Sequence, residues 1–355
     1  MWRFLFLVIT IPLLAQLDEE NALVPHALAN QVVEERPGEE ATEVKLGIYL
    51  RDLTFIDEGG QAFGAKARVL AQWSDPRLAL PYSGIRKYPL SDIWNPLLEI
   101  VNAEQKSQES SSFVDSRGNV IFSQTVQGKF FSPQDLKDFP FDTHKLHIRV
   151  RSHYGPDEVQ LQVDERHTGL AEKYLIPGWK VGKGKAEILH PFSREQNKEQ
   201  AEMLFSFTVT RDWGFYLWKV IIPISLLVLM AWGVFWIASE RIEAQVFLSS
   251  AALLTLFAFQ FVLLSVLPHA TYLTRLDQFM ILCFVLVFAA LLKAAAFSLM
   301  LRRGRTGLIG FTDMFGRIVF PLVFAIGILW IFGDVLEDFG LFSNLQKFLP
   351  LQSGM

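Results

Sequence analysis

The run from Glu243 to Pro268, EAQVFLSSAALLTLFAFQFVLLSVLP, constrains this chain more than any other stretch. It is long and apolar enough to cross a bilayer core, which takes about 20 residues of helix. Yet a carboxylate opens it and a proline closes it. Read at helical spacing from Glu243, one face carries Phe247, Ala251, Leu254, Ala258, Phe261 and Ser265. An acid at the membrane edge is costly unless it faces water. Narrow and wide rings on a single stripe are the pattern of a helix that lines an aqueous pore. A lipid-facing helix could also present that apolar face, but it gives no reason for the acid.

Three more apolar runs, at about 215–237, 277–300 and 315–333, join this one at about 245–267 to make four candidate spans. Around the junction of the third and fourth lie Arg302, Arg303, Arg305 and Arg317, the densest basic cluster in the chain. The positive-inside rule places that junction in the cytoplasm. With an even number of spans, the long segment before the first and the C-terminal tail (341–355) both lie outside, in a multi-pass protein of the plasma (inner) membrane. The opening MWRFLFLVITIPLLAQ reads as a signal peptide over 1–16, with an uncleaved anchor as the alternative. Residues 17–40 are acidic and weakly patterned, a flexible lead-in.

The chain has 355 residues, 51% of them hydrophobic, and a net charge of −4, but its two halves differ. Up to about Trp213 charges are scattered throughout, and beyond it long apolar runs take over. The near-neutral balance argues against a nucleic-acid partner. Cys283 is the only cysteine, so no intrachain disulfide can form. From Val44 to Arg211, period-two runs such as KLGIYLRDLTF, HKLHIRVRS and MLFSFTVTR are broken at DEGG, DSRGN, HYGPD and IPGW. That alternation predicts an all-β sandwich of roughly 170 residues. The GKGK stretch at Gly182 and Gly184 reads as a turn, since no helix signal follows to make it a phosphate loop. No HExxH or G-x-S-x-G occurs, and His144 and His147 fall on opposite faces of a strand. Neither an enzyme nor a cofactor is expected.

Specific words narrow the field. Phe139-Pro140-Phe141-Asp142 sits between two strands. Ile93-Trp94-Asn95-Pro96-Leu97 and Asn102-Ala103 precede it, Arg211 ends the last strand, and Pro223 lies in the first span. Together, over about 44–333, the chain resembles the pentameric ligand-gated ion channels, the superfamily of the Cys-loop receptors. Ser132 and Leu146 stand where animal receptors place their bridging cysteines, which points to the prokaryotic branch. The resemblance implies a homopentamer with a ligand-binding β-sandwich (41–212) and an all-α four-helix transmembrane domain (213–340) embedded in lipid. Agonist would bind at β-domain interfaces, and five copies of the second helix would line the pore.

Residue roles follow from the same resemblance. Five copies of Glu243 would form an electronegative ring that attracts monovalent cations. Matching the Ser239-Glu240-Arg241 triplet instead gives that position to Glu240; both registers keep an acid at the cytoplasmic mouth. Phe247 departs from the small polar residue usual in the family, so it either narrows the pore or turns toward a neighbouring helix. Leu254 takes the central gate position with Phe261 two turns outward, where apolar rings exclude water; the alternative is packing within the bundle. Asp142 and Arg211 match the ion pair at the domain junction, with Asp57 or Glu58 as a third acid and Pro140 beside them. The loop Pro268-His269-Ala270-Thr271-Tyr272 would receive the movement. In the agonist pocket the matched positions carry Val101, His153, Tyr154, Arg68 and Phe192. An arginine and a histidine replace much of the aromatic box, which disfavours a quaternary ammonium. An anionic or aromatic-acid ligand, or protons acting through His153, fits better; a purely structural His153 is the alternative. The rival to a channel is a non-conducting, membrane-anchored sensory or binding receptor.

Overall fold

The computed structural model describes residues 35–80, 83–171, 176–194, 196–238, 241–266, 271–302 and 307–338. The signal peptide, most of the lead-in, Glu240, Pro268, His269 and the C-terminal tail lie outside the described residues.

The alternating strands build a sandwich. Its strands are β1 (Thr42–Asp57), β2 (Ala62–Ser74), β3 (Ile85–Lys87), β4 (Leu98–Ile100), β5 (Ala103–Asp115), β6 (Asn119–Phe131) and β7 (Thr143–Ser152). There follow β8 (Val159–Val163), β9 (Gly169–Leu170), β10 (Trp179–Leu189), β11 (Phe192–Ser193), β12 (Lys198–Glu199) and β13 (Glu202–Arg211). One sheet runs β3-β5-β6-β2-β1-β8, with β9 also on β1; the facing sheet runs β10-β13-β7-β4, and β11 and β12 form a separate hairpin. Alternation decides which side chains enter the core: Met203, Phe205, Phe207 and Val209 of β13 meet Leu146, Ile148 and Val150 of β7, all buried. Across the sheets Phe63 stacks on Phe130 at 5.3 Å and meets Phe207 edge-on at 5.6 Å. Each such ring contributes about 1.5–3 kcal/mol by leaving water.

The GKGK stretch is not a turn. Gly182 and Gly184 lie inside β10, where its register against β13 slips between Val181 and Gly184. A Cβ on Gly182 would collide with the Thr208 hydroxyl, and one on Gly184 would press on the Phe205 ring. The glycines serve a bulge and a close approach between strands.

Among the described residues, four helices are long and apolar enough to span a membrane. The first, Gly214–Phe235, carries a π-helical turn over Leu217–Ile221 immediately before Pro223. Ile222 N–H bonds the Leu217 carbonyl, and Pro223 has no N–H to offer Lys219, so the ladder shifts by one residue there. The second is Ile242–Val266, the third Arg275–Arg302 and the fourth Gly307–Asp338. The fourth outruns its apolar stretch at both ends. It packs closely at two of its glycines: a Cβ on Gly316 would strike Phe235, and one on Gly327 would strike Leu282. Hydroxyls within the spans bond to carbonyls four residues back, Ser225 to Ile221 and Ser249 to Gln245, so these two need no water.

Candidate functional site

The sandwich and the helices meet at the loop between β6 and β7. Two of its side chains, Leu136 and Phe139, are buried in the helical core with Val220, Ile224 and Phe279. Phe139 meets Tyr216 of the first span at 4.9 Å, and Phe141 meets Phe332 of the fourth at 5.6 Å. The Phe139–Pro140 peptide is cis. The start of the third span is tied to the same loop: Arg275 N–H donates to the Lys137 carbonyl, Leu276 N–H to that of Phe139, and Leu136 N–H to the Tyr272 hydroxyl. Arg275 Nε also reaches Asp138 at 2.7 Å, and its other nitrogens reach the Ile331 carbonyl and Asp334 on the fourth span.

Behind this loop Arg211 and Asp142 form a bidentate ion pair, at 2.7 and 2.9 Å. The third acid is Glu58, 2.8 Å from Arg211. Asp57 instead pairs with Lys129 at 3.0 Å and accepts from Gly60 N–H. Adjacent residues in a turn point in different directions, and alternation could not choose between them. The Arg211 guanidinium lies between Trp179 at 4.3 Å and Phe139 at 4.6 Å. Burial works against the Arg211 charge, but Asp142 and Glu58 outweigh it and push its pKa up. For Asp142 burial also opposes ionisation, yet His144 and Arg211 hold the carboxyl down at about 2. His144 was missed in this role, although its spacing from Asp142 places both on one side of the chain. Its Nε2 sits 2.5 Å from Asp142 Oδ2.

The second span divides cleanly by face. Gln245, Ser249, Ala252 and Leu256 are fully buried against the other helices of the same chain. Phe247, Leu254 and Phe261 point away from them, 76%, 73% and 71% exposed. Glu243 and Ala258 share that outward face, Ala251 is half-buried beside it, and the Ser265 side chain lies outside the described set.

In the sandwich the matched pocket residues are spread over both sheets' sides and the β11–β12 hairpin. His153 follows β7, with Nε2 3.2 Å from Glu99 Oε2, and lines a cavity of about 330 Å³ together with Trp73, Phe122, Pro96 and Leu98. Tyr154 packs on Trp94 at 5.8 Å. Val101 N–H bonds the Arg149 carbonyl; with His153 four residues further along, the two backbones are about 13 Å apart. Phe192 is exposed on the β11–β12 hairpin, which Lys198 ties to Glu158 at 3.2 Å. Arg68 belongs to the other sheet, where its Nε donates to Ser123 at 2.8 Å.

Residues 20–213 match the neurotransmitter-gated ion-channel ligand binding domain, and residues 220–307 match the neurotransmitter-gated ion-channel transmembrane region. The second match takes in the first three spans. The chain is also similar to a proton-gated ion channel of Gloeobacter violaceus, 25% identical over 294 residues that make up 81% of each chain.

Proposed function

This chain belongs to the neurotransmitter-gated ion-channel family, and from that premise we propose that it is a cation-selective homopentameric channel gated from its β-domain. The observation that carries the pore is the two-faced second span. Its inward face is used up by its own bundle, while Glu243, Phe247, Leu254, Ala258 and Phe261 are left to face something else. Lipid would leave the Glu243 carboxylate without compensation. A shared aqueous axis supplies it, and five carboxylates there draw cations and repel anions. Leu254 and Phe261 then form apolar collars that close the resting pore by excluding water.

The stimulus we propose is acid, with a small anion as the second reading. The similar channel of Gloeobacter violaceus is described as proton-gated, and His153, which pairs with Glu99, lines the β-domain cavity. Because Arg68 sits on the opposite sheet from His153, a pocket that uses both is completed between subunits. Opening passes through the Glu58–Arg211–Asp142 cluster and the buried Leu136 and Phe139, with Pro140 between them. Pro268 and His269 lead into the third span that this loop holds. The test is a recording from purified protein in a planar bilayer under a salt gradient, with pH steps and a screen of small carboxylates. Acid-evoked currents reversing near the cation potential, and shifted toward the chloride potential by Glu243→Gln, are expected. Silence at every pH with every ligand, from pentamers of proven integrity, would favour the non-conducting receptor.

A further inference from the structure

Inside the membrane spans a lysine and an aspartate pair without touching the proposed pore. Lys293 of the third span places Nζ 2.7 Å from Asp313 of the fourth. The same Nζ donates to Gln245 Oε1 at 3.3 Å, and its charge lies 4.2 Å from the Phe297 ring centre. Gln245 is fully buried in the first turn of the second span. Its Nε2 donates to the Ile237 and Ala238 carbonyls just past the end of the first span, at 3.0 and 3.4 Å. A single polar chain therefore joins all four helices at their cytoplasmic end.

Stability alone gives no reason for it. A buried ion pair replaced by apolar side chains of similar volume is often neutral or stabilising, and ionisable groups inside spans are otherwise avoided. What the chain of contacts does fix is geometry. It ends on Gln245, two residues from Glu243, and two residues turn the helix by about 200°, to nearly the opposite side. Anchoring one side of this first turn sets the depth and rotation of the other.

We propose that Asp313, Lys293 and Gln245 are positioning residues that hold the Glu243 ring at the radius where it selects and conducts cations. This rests on the pore reading of the second span and adds to it a control reaching the mouth from the fourth helix.

The test compares three variants of the full-length channel in planar bilayers, with native mass measurement of assembly. Glu243→Gln marks the ring itself. Gln245→Met keeps the volume but removes the amide, and Lys293→Met with Asp313→Leu removes the pair without leaving a lone charge. All three are expected to lower unitary cation current, by roughly twofold or more, and to move the reversal potential toward that of chloride. Wild-type conductance and reversal potential in Gln245→Met and in the double variant, with Glu243→Gln altered, would reduce the network to a structural staple and overturn the proposal. Should Gln245→Met fail to form pentamers, the double variant decides alone; failure of both to assemble also marks a staple. If Glu243→Gln itself changes neither reading, the pore assignment fails and the network's role falls with it.

Discussion

Arg211 meets two carboxylates and lies between two aromatic rings, so its removal has several consequences at once. Arg211→Gln leaves Asp142 and Glu58 facing each other, with Asp142 2% exposed. The expected cost is about 3–5 kcal/mol, seen as a lowered unfolding temperature in detergent and as loss of gating in any pentamers that survive. The pH dependence has a definite sign. Asp142 has a folded-state pKa of about 2, below the ordinary 3.8. Its contribution is therefore full above about pH 4 and lost as pH falls toward 2. Thermal unfolding of Asp142→Asn should show no such loss across that window. Acid activation well above pH 4 must then titrate some other group. Leu254→Ser places a hydroxyl in the apolar collar and should shift activation to weaker stimuli; an unchanged activation curve would mean that Leu254 packs against a neighbour. At this level the sequence was informative where a motif fixed the partner, as for Asp142 with Arg211. It was silent where no motif marks the partner. Nothing near Lys293 points to Asp313, and a stripe read outward from Glu243 passes over Gln245 on the other face.

Between the strands and the helices, the β6–β7 loop does the joining. Leu136 and Phe139 are 2% and 1% exposed among side chains of the spans. Phe139→Ala opens a cavity in that shared core and should cost about 3–5 kcal/mol. Because the loop also holds the start of the third span, the same variant should weaken the response to stimulus more than it weakens assembly. Equal loss of both, by current density against surface pentamer, would make the contact structural only. Most strands were legible because one face of each is buried and the other is wet, so the period of two is written in the residues. β5 was not, since its run AEQKSQESSS is polar throughout. The β10 bulge escaped for a related reason: paired glycines are as common in turns as in bulges, and only the approach of Thr208 and Phe205 tells them apart.

The whole assembly follows from surfaces that one chain cannot satisfy. On the proposed reading, an outward stripe with an acid at its base, and a pocket that uses both Arg68 and His153, call for copies arranged in a closed ring. The period of the second span and its opening carboxylate were readable in advance; the number five came from the family resemblance. Methanethiosulfonate labelling of single cysteines placed along the second span, followed by current in resting and stimulated channels, tests whether water runs along this helix. Positions 243, 247, 254, 258 and 261 should react, with the outer ones more state-dependent than 243, while 245, 249, 252 and 256 stay protected. Equal protection of both faces in every state would leave no conduit there, and the channel reading would not survive it.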